Sequence, residues 1–299
     1  MPFNREARAS DPARMQTDEL VEAHPRIASR DLFCGVGGCD GAPPADAPFK
    51  FRERHNRGSS PNIVVEDARG RVWNAKLGKE TKPEVAASRL LWAIGFHQPP
   101  IYYVRSWTVA GGPDPGPQPE ARFRLERSDW KKRGEWEWQD NPFVGTRELR
   151  GLVVLMVMIT NWDLKTSNNT VYEQRHDGAA PARRYVVKDL GESFGRSVRY
   201  LTLGKGNDIG EFEREGFIRR VDGDHVEFHY NPIILNLYVT RDITVDDVLW
   251  TCRRLAQLSD RQWRDAFRAA GYSDEQGAAF ASRMKQKVRE GLALEGAAT

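Results

Sequence analysis

The feature that most constrains this chain is a stretch in which an apolar segment and a β-branched segment each end at a polar loop. The apolar segment, Leu152 to Ile159, is part of a predicted helix and leads into the loop 161–169, NWDLKTSNN. Further on, Tyr185-Val186-Val187 is typical of a short strand and leads into Lys188-Asp189-Leu190-Gly191. The fold must therefore place oxygen-bearing side chains at the end of a helix and at the end of a strand.

Asp163, Asn168 and Asp189 form a chemically coherent set. Transfer of a phosphoryl group from ATP needs a carboxylate that positions the attacking hydroxyl, and oxygen ligands that hold magnesium against the phosphates. Asn168 follows Asp163 by five residues with Lys165 between them, which gives the D-x-K-x-x-N pattern of a kinase catalytic loop. Asp189 begins D-L-G, one residue different from D-F-G. Taken singly, each of these residues is also compatible with a simple turn or cap.

A lysine in the amino-terminal half extends the set. The segment Arg71 to Leu77 is predicted as a strand that presents Lys76, as a kinase strand presents the lysine that pairs with the nucleotide phosphates. A helix is predicted from Pro83, with Glu84 in its first turn. Glu84 is placed to hold the ammonium group of Lys76, although an acid in a first turn also suits the helix dipole alone.

Upstream of the lysine strand lies a loop suited to phosphate. Gly58, Ser59 and Ser60 precede a strand predicted at 63–66, and a turn at 67–70 leads into the lysine strand. This is the layout of a hairpin that covers a nucleotide, in which backbone amides and hydroxyls bind phosphate oxygens. The pattern G-x-G-x-x-G does not occur here, and an ordinary surface loop is the alternative interpretation.

Together these segments resemble the protein-kinase-like superfamily. The catalytic loop opens with Asn161-Trp162-Asp163 instead of H-R-D, the interval from lysine to glutamate is short, and no A-P-E follows. The resemblance is therefore to the atypical branch, which includes the HipA-like kinases and, more distantly, the phosphatidylinositol and secretory-pathway kinases.

The resemblance implies an α+β, two-lobed protein-kinase-like fold with a β-rich N-lobe and a mainly helical C-lobe. It also implies that ATP binds between the lobes with Mg²⁺, or with Mn²⁺ in its place. The residues that it assigns are, for catalysis, Asp163 and Lys165; for the metal, Asn168 and Asp189; and for the nucleotide, Lys76, Glu84, Gly58, Ser59 and Ser60.

Composition along the chain predicts three regions. Residues 1–30 are expected to be a mobile polar arm, 31–110 an N-lobe with the nucleotide-covering hairpin, and 111–299 a hinge with an insert followed by the helical C-lobe. Strands are predicted at 63–66, 72–77 and 101–109, and a hairpin at 217–230 that turns at 222–224. Helices with apolar residues at three-to-four spacing are predicted at 146–159, 245–258, 260–270 and 274–294.

The charge balance argues against nucleic acid as a partner, because the formal net charge is only +3 and basic residues are interleaved with acidic ones. The Trp-rich segment 128–138 is predicted to pack a hairpin that turns at 132–134, and base stacking is the alternative. The apolar run 152–159 is well short of the ~20 residues that cross a bilayer, so no membrane span is expected.

The first residues lack an apolar leader, so a cytoplasmic protein is the default expectation. Removal of an export signal ahead of residue 1 would leave the same sequence, so that alternative stays open. Cys34, Cys39 and Cys252 are expected to be ordinary thiols, with a disulfide or a partial metal site as alternatives for the first two.

The sequence thus predicts an ATP-dependent and magnesium-dependent phosphotransferase whose acceptor is a hydroxyl of a protein or a small molecule. Two alternatives use the same residues. One is a catalytically silent module that binds a nucleotide or a partner protein, which the weak glycine loop favours. The other transfers AMP instead of a phosphoryl group.

Overall fold

A computed structural model describes residues 17–44, 46–55, 60–175, 181–195, 198–199, 202–203, 206–230 and 238–296. Over these residues the chain forms fourteen strands and six α-helices. They separate into a β-rich N-lobe and a mainly helical C-lobe, which confirms the α+β, two-lobed arrangement of a protein-kinase-like fold. None of the described helices combines the length and the apolar character that crossing a lipid bilayer requires.

The N-lobe is built around one sheet, to which the described residues contribute the strands β1 (Phe49–His55), β2 (Asn62–Glu66), β3 (Val72–Leu77), β4 (Ile101–Val104), β5 (Trp107–Ala110), β6 (Gly116–Gln118) and β7 (Ala121–Leu125). Their order is β4-β7-β3-β2-β1-β5-β6. The neighbours are antiparallel except for the parallel pair β1 and β5.

Side chains alternate between the two faces of the sheet along β3 and β7, and this alternation separates core residues from residues of the candidate site. Trp73 and Ala75 on β3 and Phe123 on β7 are buried in the core of the sheet. Because successive residues of a strand point to opposite faces, Lys76 and its cross-strand partner Arg122 lie on the other face. That face carries the basic residues of the candidate site.

Helix α1 (Thr81–Ala93) follows β3 and belongs to the core of the C-lobe, not to that of the sheet. Val85, Leu90 and Leu91 are fully buried together with apolar residues of the C-lobe helices. The remaining helices are α2 (Arg147–Met158), α3 (Ile209–Arg214), α4 (Val245–Leu255), α5 (Asp260–Arg268) and α6 (Asp274–Leu292).

The helix starts of the C-lobe are fixed by their capping residues. Thr244 and Ser259 cap α4 and α5 in full capping boxes, directly before the helix starts that the sequence predicted, and Ser273 caps α6 in the same way. A cap of this kind stabilises a helix by about 1 kcal/mol. The helices α4, α5 and α6 end two or three residues before the predicted positions.

The described residues of the C-lobe also form three short sheets. The first has the order β10-β9-β8, with β8 (Trp130–Gly134), β9 (Asn169–Gln174) and β10 (Ala182–Val187). The second pairs β11 (Val198–Arg199) with β12 (Thr202–Leu203). The third is the predicted hairpin, β13 (Ile218–Asp222) and β14 (His225–Phe228).

The structure corrects the predicted Trp-rich hairpin. Segment 130–134 does not turn at 132–134, because it is the continuous strand β8 and pairs with β9. The ring of Trp130 packs at a tilt against Tyr172 of β9, with ring centroids 5.1 Å apart. Trp136 and Trp138 lie in the core of the C-lobe.

Region boundaries also differ from the expected ones. The N-lobe sheet does not end at residue 110, because β7 lies between β4 and β3 and carries the sheet to Leu125. Residues 17–30 are not a free arm, because Leu20, Val21 and Ile27 are buried in the core of the C-lobe.

The expectation of ordinary thiols is wrong for one pair. Cys34 and Cys39 form a disulfide that closes the glycine-rich loop ahead of β1, whereas Cys252 is a buried free thiol. Burial raises the pKa of the Cys252 thiol to about 12.

Candidate active site

The start of the loop that follows α2 is held by hydrogen bonds within the loop and to residues later in the chain. The side-chain oxygen of Asn161 accepts the backbone N–H of Asp163 at 3.0 Å, and its side-chain nitrogen donates to the hydroxyl of Ser193 at 3.2 Å. The hydroxyl of Tyr230 donates to the carbonyl of Asn161. Asn161 is 2% exposed, so the loop start is fixed from inside the C-lobe.

Asp163, Lys165 and Asn168 are in direct contact. The ammonium of Lys165 lies 2.7 Å from Oδ1 of Asp163. The amide nitrogen of Asn168 donates to the carbonyl of Asp163 at 2.8 Å and to its Oδ2 at 3.2 Å. This amide geometry turns Oδ1 of Asn168 away from Asp163, and no donor among the described residues reaches that oxygen. Asn168 therefore has an oxygen available for a metal.

Asp189 lies beside this loop. The strand β10 pairs with β9 up to Val187 and Asn169, and the backbone N–H of Lys188 donates to the carbonyl of Asn168 at 2.8 Å. Asp189 then takes a left-handed backbone conformation, with φ of 56°. Its side chain is 48% exposed and points to the N-lobe.

Lys76 meets this aspartate from the N-lobe. Its ammonium forms an ion pair with Oδ1 of Asp189 and lies 2.5 Å from Glu80 and 3.3 Å from Glu84. Glu84 also pairs with the buried guanidinium of Arg122 at 2.9 Å. The cluster comprises two cations and three carboxylates in mutual contact, and Arg124 lies near enough to add a further positive charge beside Glu84.

The pKa values in this cluster reflect mutual pairing. Burial by itself would raise the pKa of Glu84, but Arg122 and Lys76 outweigh it and lower the pKa to about 2. Burial would likewise lower the pKa of Lys76, but Glu84, Asp189 and Glu80 outweigh it and the pKa is raised. Glu84 is therefore ionised and Lys76 is charged at neutral pH.

A glycine allows the D-L-G segment to lie close to the start of α1. Gly191, of the D-L-G motif, packs against Glu80 so closely that a Cβ at this position would overlap the side chain of Glu80. The short 3₁₀ helix Leu190–Glu192 thereby lies directly on the start of α1. This contact joins the segment that follows Asp189 to the residue four positions after Lys76.

The structure brings together most of the predicted residues, in two groups. Lys76, Glu84 and Asp189 form one group, and the loop residues from 163 to 168 form the other. The backbone bond between Lys188 and Asn168 joins the groups. Gly58 and Ser59 of the predicted phosphate loop lie outside the described residues, whereas Ser60 is buried and its carbonyl accepts a hydrogen bond from Asn62.

Glu80 and Arg122 belong to the site, but the sequence did not predict them. Glu80 stands four residues after Lys76 and one residue before α1, a spacing that is uninformative until the turn between strand and helix is known. Arg122 faces Lys76 only through the register of β3 and β7, which are far apart in the chain. The period-two alternation of the segment 121–125 was the one available signal.

A further missed group is Lys188. Burial, with Arg124 and Lys132 adding to it, lowers the pKa of Lys188 to about 7. Its ammonium lies 5.9 Å from the ring centroid of Tyr172. A second amine therefore stands directly next to Asp189 in the chain.

The donor set fits a metal that arrives with a nucleotide. Over the described part of the chain, no group of three or more His, Cys, Asp or Glu side chains is arranged to hold a metal ion. Asn168 and Asp189 supply one amide oxygen and one carboxylate, which is the small protein share that Mg²⁺ needs when phosphates and water fill the other positions.

Comparison with known proteins gives a structural similarity only. No protein-family model and no curated protein matches the chain. Four chains of solved structures match, among them the Helicobacter pylori proinflammatory kinase CtkA, with a TM-score of 0.49 and 9% sequence identity over 85% of this chain and 98% of that chain. Similarity at this level does not determine activity, which depends on the site residues.

Proposed function

We propose that this chain is an ATP-dependent and Mg²⁺-dependent phosphotransferase that transfers the γ-phosphoryl group to a hydroxyl of a protein or a small molecule. The observation that carries the proposal is the ion pair between Lys76 of the sheet and Asp189 of the C-lobe, next to the Asp163–Asn168 loop. The Asn-x-Asp opening of that loop supports an atypical kinase of the HipA-like kind.

Lys76 is the phosphate-binding group in this proposal. Glu80 and Glu84 hold its ammonium in place, and Arg122 holds Glu84 in turn. A charged amine fixed in this way neutralises phosphate charge without having to reorganise during the reaction.

Asn168 and Asp189 would hold the metal. Asn168 is positioned by two hydrogen bonds from its amide nitrogen, so its oxygen faces away from Asp163. When bound, Mg²⁺ would neutralise charge on the phosphates.

Asp163 would position the acceptor hydroxyl and accept its proton. Its side chain is 11% exposed and bonded to Asn168, so it is fixed in position, yet it is not a buried structural acid. Lys165 is half exposed and in contact with Asp163, which places an ammonium where negative charge develops on the transferring group.

The direct test is transfer of label from γ-labelled Mg-ATP to the protein itself and to water. We expect Asp163→Ala to lower the rate by about 10²–10⁴-fold, because the hydroxyl or water is no longer positioned. Asp242→Ala, at an exposed position, is the matched control and should keep the wild-type rate. Equal rates in wild type and Asp163→Ala would remove Asp163 from the mechanism.

Intact-protein mass after incubation with Mg-ATP separates the alternatives that use this site. A gain of one phosphoryl group supports the proposal, and a gain of one AMP would reassign the site to AMP transfer. A protein that binds Mg-ATP but neither becomes labelled nor releases labelled phosphate would be a silent nucleotide-binding module.

A further inference from the structure

A cavity outside the candidate active site lies where the disulfide-closed loop covers α1 and β4. Its volume is about 430 Å³, which is within the range of sites for small molecules. The lining combines apolar and aromatic side chains with two arginines, and its main members are Phe33, Arg89, Tyr102, Val104, Arg105 and the Cys34–Cys39 disulfide.

Arg89 is the unusual member of this lining. It is 2% exposed, and its hydrogen bond is a long one of 3.3 Å from Nη2 to the carbonyl of Cys34. Its Nε is buried and has no hydrogen-bond partner, and over the described residues no carboxylate comes within ion-pair distance of its guanidinium. The guanidinium carbon lies 5.7 Å from the ring centroid of Tyr102.

Arg122, on β7, is a buried arginine that has a carboxylate within ion-pair distance, although its Nε, like that of Arg89, makes no hydrogen bond. It is equally buried, but it pairs with Glu84 at 2.9 Å and donates to Asn74 at 3.1 Å. Among the described residues, no carboxylate pairs with Arg89 in this way. The carboxylate of Asp31 is in the vicinity, but its Oδ1 accepts the backbone N–H groups of Phe33 and Cys34.

A buried cation without an anion is costly, since desolvation disfavours the charged form. Burial lowers the pKa of Arg89 to about 10, which leaves it charged at neutral pH. An anionic ligand would supply the counter-charge. The guanidinium offers a planar fork of donors that matches a carboxylate or a phosphate, and Arg105, which is exposed, adds a second positive charge.

The apolar part of the lining indicates what else the ligand carries. Phe33 is 44% exposed and thus unusually open for a phenylalanine, and Val104 and Tyr102 lie in the same wall. An aromatic or aliphatic group attached to the anion would cover Phe33.

We propose that this cavity binds a small organic anion, with its carboxylate or phosphate on Arg89 and its apolar group against Phe33 and Val104. The proposal does not depend on the phosphotransfer site, although both sites use α1. Glu84 and Arg89 belong to that one helix.

The disulfide is part of the cavity. Cys34 and Cys39 both line it, and Gly35 between them packs on Arg89 so closely that a Cβ there would overlap the guanidinium. Gly35 also has a φ of 73°, which favours glycine. Reduction of the disulfide would release this loop, so we expect reduced protein to bind the anion more weakly.

Titration calorimetry with phenyl phosphate and with benzoate tests the proposal on the full chain, and benzyl alcohol is the uncharged control. We expect at least one of the two anions to bind the oxidised wild type and benzyl alcohol not to bind. Preference between the two probes identifies phosphate or carboxylate as the natural anion. Failure of both anions to bind would overturn the proposal.

Two variants locate the binding. Arg89→Met removes the charge, whereas Ser106→Trp keeps Arg89 and fills the cavity from an exposed position in its lining. We expect each to weaken anion binding by roughly tenfold or more, and Ser282→Trp, at an exposed position on α6, to have no effect. If Arg89→Met does not fold, Ser106→Trp alone decides. Anion affinity unchanged in Ser106→Trp would place the binding elsewhere and contradict the proposal.

Discussion

Glu84 is the residue that links the two basic groups of the cleft. It is 3% exposed and forms ion pairs with both Arg122 and Lys76. Removal of one partner from a buried ion pair leaves the other charge uncompensated, which is strongly destabilising. The glutamate therefore stabilises the contact between α1 and the sheet and also places Lys76.

This contribution should depend on pH in a defined window. The pKa of Glu84 is about 2 in the folded chain and 4.5 for an unperturbed carboxyl group. Its stabilising effect is therefore fully present above pH 4.5 and is lost as the pH falls toward 2. We expect Glu84→Gln to lower the free energy of unfolding by about 3 kcal/mol at pH 7, and by progressively less below pH 4.5, in urea denaturation.

Glu213→Gln is the matched control, because Glu213 is exposed. It should leave the free energy of unfolding within about 0.5 kcal/mol of wild type at every pH. A difference between wild type and Glu84→Gln that stays constant from pH 7 to pH 3 would show that Glu84 is not held by charge pairing.

The D-L-G segment and the start of α1 form the contact between elements on which the site depends. Gly191 has no room for a side chain next to Glu80. We expect Gly191→Ala to push the segment away from α1, to cost about 1–3 kcal/mol of stability, and to weaken Mg-ATP binding because Asp189 moves away from Lys76. Thermal unfolding and titration calorimetry measure the two effects.

Gly134→Ala is the control for this substitution. A Cβ at Gly134 would meet open space, and its backbone is not in the left-handed region. It should change neither stability nor nucleotide affinity. Wild-type Mg-ATP affinity in Gly191→Ala would contradict the idea that this contact positions Asp189.

The elements that the sequence predicted are those with a local signal. The loop with Asp163 and Asn168 was predictable because both residues follow closely in sequence after the end of the apolar helix α2. The capping boxes of α4 and α5 are likewise local. β7 was not predicted, although it is an internal strand of the sheet, because it follows a proline-rich and glycine-rich stretch, a composition typical of loops.

Other features depend on contacts that are distant in the chain. The pairing of Lys76 with Arg122 across the sheet follows from strand register, which the local pattern does not contain. The Cys34–Cys39 disulfide depends on how the loop turns, so the spacing of two cysteines left thiols and a disulfide both open. For the same reason the environment of Arg89 could not be read from its position in a helix.

In the molecule as a whole, the candidate site lies between two separate cores. Lys76 stands on the sheet, whose core contains Trp73 and Phe123, whereas α1 with Glu84 is packed into the core of the C-lobe. The contacts of Lys76 with Glu84 and with Asp189 therefore connect the lobes. A displacement of the sheet relative to the helices would change both contacts at once, so nucleotide affinity should respond to the way the lobes are packed.

Titration calorimetry with ATP, in the presence and absence of Mg²⁺, tests most directly whether Lys76 and Asp189 converge on one triphosphate. We expect the wild type to bind ATP with Mg²⁺ and far more weakly without it, because Asn168 and Asp189 would contact the phosphates only through the metal. Lys76→Met and Asp189→Asn should each weaken binding by roughly tenfold or more, while Lys50→Met, at an exposed position on β1, should not change it. Equal affinity in all four proteins, or affinity that does not depend on Mg²⁺, would contradict the account.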